Sequence, residues 1–174
     1  MYAPDYWTGN GRRYQKKACF FPTPTRCSMH GASPTPPPAG KRLTFYTTLH
    51  GSAFEEAARQ VLRSNGEAGQ AAFASFSAAH WLAPYGRTGA QYFYADEAGL
   101  ERLQAALKLS SISKGENVEV ILLKDAGLLR DTEEAAPGAI CTSPVQTYLD
   151  LAATGERGQE AADHLRRERL TWPK

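Results

Sequence analysis

Ile140-Cys141-Thr142-Ser143-Pro144-Val145-Gln146-Thr147-Tyr148-Leu149-Asp150-Leu151 reads as a strand end turning straight into a helix. Ser143 suits the N-cap, where its hydroxyl accepts from an orphan amide of the first turn. Pro144 then falls at the first helical position, where a missing N–H costs nothing and the fixed φ already fits. Gln146 completes a Ser-x-x-Gln capping box. Val145, Tyr148, Leu149 and Ala152 recur at helical spacing and predict the apolar face. These start signals specify a local fold and no reaction.

Working outward, strands and helices alternate. Leu43–Thr48 is rich in aromatic and β-branched residues and reads as a strand. Gly51 breaks it, and Ser52 with Glu55 gives a second capping box. The helix that follows carries Phe54, Ala57, Ala58, Val61 and Leu62 inward, and Asn65-Gly66 is its expected C-cap. Gln70–Ala74 reads as a short strand. Ser75–Leu82 reads as a compact helix with small residues on one side, stopped by Pro84. Gln91–Tyr94 is a strand by composition. Asp96 caps a helix with Leu100, Leu103 and Leu107 inward. Asn117–Leu123 predicts a strand buried on both faces. Asp125-Ala126-Gly127 is a turn, with Leu128-Leu129 returning as a short strand. A last helix runs from about Arg157 to Leu170, with Ala161, Ala162 and Leu165 inward. The expected fold is α/β, with α+β as its neighbour: a layered domain with a mixed sheet flanked by helices, two of them C-terminal.

Residues 1–40 differ. Pro22, Pro24, Pro34, Pro36, Pro37 and Pro38 remove backbone donors and block helix, so this is an irregular arm, and residues 41–174 form the domain. Arg12, Arg13, Lys16 and Lys17 lie beside Tyr6, Trp7 and Tyr14, a pattern that fits either a solvated tail or an arm gripping nucleic acid. Cys19, Cys27 and His30 match no common zinc spacing.

With 174 residues, 42% hydrophobic and 22% charged, the chain suits one well-buried domain. A net charge of +2 advertises no global basic field. Three cysteines, one of them odd, and no CxxC fit a reducing cytoplasm. No apolar run approaches the length of a membrane span, and no secretory signal is read.

Chemistry is sparse. Asp96, Glu119, Asp125, Asp131 and Asp150 are the carboxylates to test for a metal-dependent nuclease, which needs paired acids and a lysine. Glu119 with Lys124 is the suggestive pair, although alternation along a regular strand points them to opposite faces. His50, His80 and His164 neighbour no nucleophile, and His80 beside Trp81 reads as a core or boundary residue. Cys141 at a helix start is either a thiol lowered by the dipole or a buried strand-end cysteine. No GxSxG, GxxxxGK[ST], GxGxxG or HExxH motif occurs. Arg157, Arg166, Arg167 and Arg169 form a lysine-free cationic set between residues 156 and 170. They either solvate and cap the helix or contact phosphate or an acidic partner.

Taken in order, Phe45–Gly51, Phe76–Tyr85, Gln91–Asp96, Gly115–Val118, Cys141–Leu151 and Glu156–Ala162 give the region from Arg42 to Trp172 a resemblance. It resembles the C-terminal domain of AbiE-type antitoxins, the transcriptional regulators of type IV toxin–antitoxin systems. The resemblance implies a bacterial cytoplasmic regulator that represses its own operon and neutralises a nucleotidyltransferase-like toxin as partner. It implies no enzymatic activity, no cofactor and no metal. Family members usually carry a winged helix-turn-helix ahead of this region. Residues 1–40 are too short and proline-rich for one, so DNA as a partner is the property that carries over least. A nuclease-like domain on a similar sheet is the alternative.

Overall fold

A computed structural model of the chain describes residues 38–66, 69–86, 89–111 and 114–170, all within the unit Pro34–Lys174. The elements are β1 (Gly40–Phe45), α1 (Gly51–Arg63), β2 (Ala71–Phe73), α2 (Ser75–Leu82), β3 (Gln91–Ala95), α3 (Glu97–Leu107) and β4 (Val118–Leu123). A 3-10 turn (Ala126–Leu129), β5 (Thr132–Ala136), β6 (Ala139–Thr142), α4 (Pro144–Ala152) and α5 (Gly155–Arg169) complete the order. The six strands make one mixed sheet, β1-β4-β3-β2-β6-β5. β4 with β3 and β2 with β6 are parallel, and the other neighbours are antiparallel. The fold is a layered α/β domain.

Alternation along the strands divides the core in two. Phe73, Phe93, Val118, Val120 and Cys141 point to one face, and residues from all five helices join that cluster, Leu62, Leu82, Leu103, Leu151 and Leu165 among them. The Phe73 and Phe93 rings lie 5.0 Å apart at its centre. Each fully buried Leu or Phe stabilises the fold by about 1.5–3 kcal/mol. The other face carries the smaller cluster of Ala72, Ala74, Tyr94, Leu123 and Leu129, with Leu128 of the 3-10 turn packed on it. Among the described residues that smaller cluster holds none from the five α-helices, and the candidate site opens on the same face.

Several local details depart from the sequence reading. β1 ends at Phe45 because the Asn117 side chain clasps Thr47 beyond it, accepting from Thr47 N–H and donating to Thr47 C=O, both at 2.9 Å. The capping box at Ser52 does not form. α1 starts at Gly51, whose φ of +56° suits glycine, with His50 at the N-cap and no side-chain cap. α1 ends at Arg63 with Ser64 as its C-cap, one residue before Asn65. The Asn65 amide instead clasps both backbone groups of Ala71. Leu128-Leu129 is part of a 3-10 turn and not a strand, since the Asp125 carboxylate accepts from Gly127 N–H at 2.9 Å and winds the chain. β5 escaped the sequence reading: Thr-Glu-Glu-Ala-Ala has little strand propensity of its own. It is a strand because the Pro137-Gly138 turn, with Gly138 at φ +80°, folds it back on β6.

At α4 the N-cap forms as expected, with Ser143 Oγ accepting from Gln146 N–H at 3.4 Å and Pro144 at the first position. The second half of the capping box does not form. Gln146 reaches forward to Asp150, and Ser143 N–H is satisfied by Asp131 C=O at 3.2 Å. The inward face also differs. Val145 is 57% exposed, while Thr147 and Leu151 are buried. Thr147 turns inward because its hydroxyl bonds the Thr142 hydroxyl at 2.9 Å and the Thr142 carbonyl at 3.2 Å. The expected N-cap of α3 and the expected inward face of α5 hold. Asp96 accepts from Gly99 N–H at 2.7 Å, and Ala161, Ala162 and Leu165 are buried on α5.

Candidate functional site

On the second face of the sheet a cleft of about 350 Å³ opens between β1, β3 and β4 on one side and α4 on the other. Strand alternation brings Tyr92 and Tyr94 of β3 and Glu119 and Ile121 of β4 to it, in register as Tyr92–Glu119 and Tyr94–Ile121. Gln146, Leu149 and Asp150 of α4 form the facing wall, with Thr154 beyond. Helical spacing puts Gln146, Leu149 and Asp150 on one side, at i, i+3 and i+4.

Asp150 is the most perturbed acid in the cleft. Its Oδ1 accepts from Gln146 Nε2 at 2.7 Å. Burial pushes its carboxyl up to about 6, and the Gln146 amide, the Tyr94 hydroxyl and the Ser75 backbone N–H each pull in the opposite direction. Its Oδ2 is buried, yet no donor reaches it with full hydrogen-bond geometry. Ser75 holds φ at +47°, an uncommon conformation for a residue with a side chain, and this turns the start of α2 toward Asp150. Tyr94 is raised well above the usual phenol range, first by burial and then by Asp150. Tyr92 is raised by burial and by Glu119, with Arg42 and Arg157 opposing. At the opposite rim Arg42 Nε contacts Glu119 Oε1 at 2.9 Å, the arginine side chain 70% exposed and the glutamate 18%. The cleft thus has an acceptor-bearing inner end, aromatic and aliphatic walls, and guanidinium near its mouth.

Of the five carboxylates, Asp96 caps α3, Asp125 caps the 3-10 turn, Asp131 is exposed, and Glu119 and Asp150 share the cleft. Glu119 is engaged by Arg42. Lys124 lies just past β4 and is exposed. Among the described residues no three His, Cys, Asp or Glu side chains gather where one ion could be held. His50 and His80 are exposed, so the expectation of a core or boundary place for His80 is corrected. It stands edge-on to Trp81 at 5.7 Å, because it lies on the solvent side of α2. His164 lies 5.1 Å from the Tyr85 ring. Cys141 is fully buried, and burial pushes its thiol up to about 12. Of its two readings the inert strand-end cysteine therefore holds.

The arginine set does not share one group of partners. Arg157, near the start of α5, is exposed and lies within electrostatic reach of Tyr92 at the cleft. Arg166 pairs with Asp163 at 3.4 Å. Arg169 pairs with Glu133 of β5 and reaches the Leu82 carbonyl at 3.3 Å. Arg167 is exposed. Arg12, Arg13, Lys16 and Lys17, with Cys19, Cys27 and His30, lie outside the described residues. The sequence reading missed the cleft as a unit. Its one available signal was the Gln146–Asp150 spacing on a helix.

No family model matches the chain, and no curated protein and no solved structure matches it. Among the described residues no helix is long and apolar enough to cross a membrane.

Proposed function

We propose that this chain is an antitoxin-like regulatory and binding protein of a type IV toxin–antitoxin system, acting in the bacterial cytoplasm. It neutralises a nucleotidyltransferase-like toxin and takes part in repression of its own operon. One observation supports this most: the segments resembling the antitoxin family coincide with the junctions on which the domain is built. Gln91–Asp96 spans β3 and the α3 cap, Cys141–Leu151 runs from the end of β6 through most of α4, and Glu156–Ala162 carries Gly158, Ala161 and Ala162, buried residues of α5. Those residues build a scaffold, and their role in it needs no catalysis by the chain itself. The four arginines near or on α5 are its candidate contacts for an acidic or phosphate-bearing partner.

The alternative, a metal-dependent nuclease-like domain, draws on Glu119 and Asp150 lining one cleft. Magnesium-dependent cleavage of DNA or RNA, lost in both Glu119→Gln and Asp150→Asn, would favour it. For the antitoxin the test is genetic. Deleting this gene should slow growth when a neighbouring nucleotidyltransferase-like gene is intact and be silent when that gene is disrupted. Silence in both backgrounds overturns the proposal.

A further inference from the structure

The cleft on the second face of the sheet presents three kinds of surface in sequence. Its inner end holds Asp150 and the Gln146 amide. Gln146 Nε2 gives one proton to Asp150 Oδ1 at 2.7 Å, and the Tyr94 hydroxyl and the Ser75 N–H also act on the carboxylate. The buried Oδ2 is left without a well-formed hydrogen bond, so an acceptor oxygen is what this end still offers. The middle is Tyr92, Ile121 and Leu149, flat and apolar. The mouth carries Arg42, whose Nε lies 2.9 Å from Glu119 Oε1 and whose side chain is 70% exposed. Arg157 adds a second positive charge within reach of Tyr92. At about 350 Å³ the space falls within the usual range for small-ligand sites, about 300–1,000 Å³.

A ligand that satisfies all three surfaces has N–H donors at one end, a flat ring in the middle and an anion at the other end. We infer that the cleft binds a nucleotide whose base carries an exocyclic amine, with the amine toward Asp150 and Gln146, the base against Tyr92 and Leu149, and the phosphate at Arg42. Aromatic side chains on a sheet face stack bases, and a guanidinium fork matches phosphate oxygens. Uracil puts a carbonyl where the amine belongs, so its lone pairs face those of Asp150. This assignment stands on the cleft alone and does not depend on the antitoxin proposal.

The source of the nucleotide is either a free mononucleotide or an unpaired residue of a strand. The test is titration of the ¹⁵N-labelled full chain with AMP, CMP, UMP and adenosine, and with short single-stranded oligo(A) and oligo(U). AMP and CMP should shift the Tyr92, Leu149 and Thr154 resonances and bind about tenfold or more tighter than UMP. Arg42→Gln, at an exposed position, should weaken AMP about tenfold and leave adenosine within about twofold. Oligo(A) binding no tighter than AMP assigns a free nucleotide. Tighter oligo(A) binding that falls steeply with salt assigns a strand. Asp150→Asn, its fold checked by melting, should erase the preference for AMP over UMP. The inference is overturned by AMP and UMP binding alike, by Arg42→Gln affecting AMP and adenosine equally, or by no binding of AMP or oligo(A) at millimolar concentration.

Discussion

Gln146 donates from Nε2 to Oδ1 of Asp150 at 2.7 Å, one turn along α4. The same side chain is therefore unavailable to fold back on Ser143, and the helix start gives up half of its capping box to hold a buried carboxylate. Removing the amide should expose that trade. In Gln146→Leu the Asp150 carboxyl should titrate above its present value of about 6, because a donor to the ionised form is gone. Carboxyl-carbon NMR across the acid range reads this directly. A midpoint that stays put or falls would show that Gln146 does not stabilise the charge.

Asp150 also makes stability depend on pH, and the sign runs opposite to that of an ion-paired acid. Its folded value, about 6, lies above the ordinary 3.8, so the folded chain holds the proton more tightly than the unfolded chain. Stability should then fall as pH rises from about 4 to about 6 and level off above that, by about 3 kcal/mol at most. Asp150→Asn should flatten the slope in that window. Urea melts at several pH values check it, and a wild-type slope equal to that of the variant would refute it.

Much of this domain was legible. The Asp96 and Ser143 caps, the strands at β3 and β4 and the inward stripe of α5 all follow from residues acting on their near neighbours. What was not legible depends on distant partners. β1 stops where Asn117 clasps Thr47, and β5 exists because a turn delivers it to β6. Helical spacing places Val145 in the core, yet it is exposed, since Thr147 finds a polar partner inside at Thr142. The cleft is assembled from β1, β3, β4 and α4, so no local pattern announces it. Only the spacing of Gln146 and Asp150 could have been read in advance.

Ser143→Ala should cost about 0.5–1 kcal/mol, at the low end for a cap because its bond is long at 3.4 Å. Val145→Ala should be within about 0.5 kcal/mol of neutral at its exposed position. Denaturant midpoints decide both. A larger loss for Val145 than for Ser143 would restore the face that spacing suggested.

Gly158 sits where α5 crosses the end of α4, and a Cβ there would stand 2.2 Å from the Leu151 carbonyl oxygen. In an exposed helix Gly→Ala stabilises by up to about 1 kcal/mol. Here the clash is with backbone, so Gly158→Ala should destabilise by about 2–3 kcal/mol. A stabilised variant would mean that the two helices are not packed this closely.

The arginines separate by what they touch. Arg169→Glu loses the Glu133 pair and its contact with the Leu82 carbonyl, and should cost about 1–2 kcal/mol. Arg167→Glu, at an exposed position, should leave the melt within about 0.5 kcal/mol. Arg167 is therefore the cleaner probe of partner contact. Equal losses from both would remove the distinction drawn between them.

The antitoxin proposal is tested most directly by growth. Cells induced for a neighbouring nucleotidyltransferase-like toxin should stop dividing, and co-expression of the full chain should restore colony counts to those of uninduced cells. Continued arrest, with the full chain shown to be soluble and folded in the same cells, would contradict it.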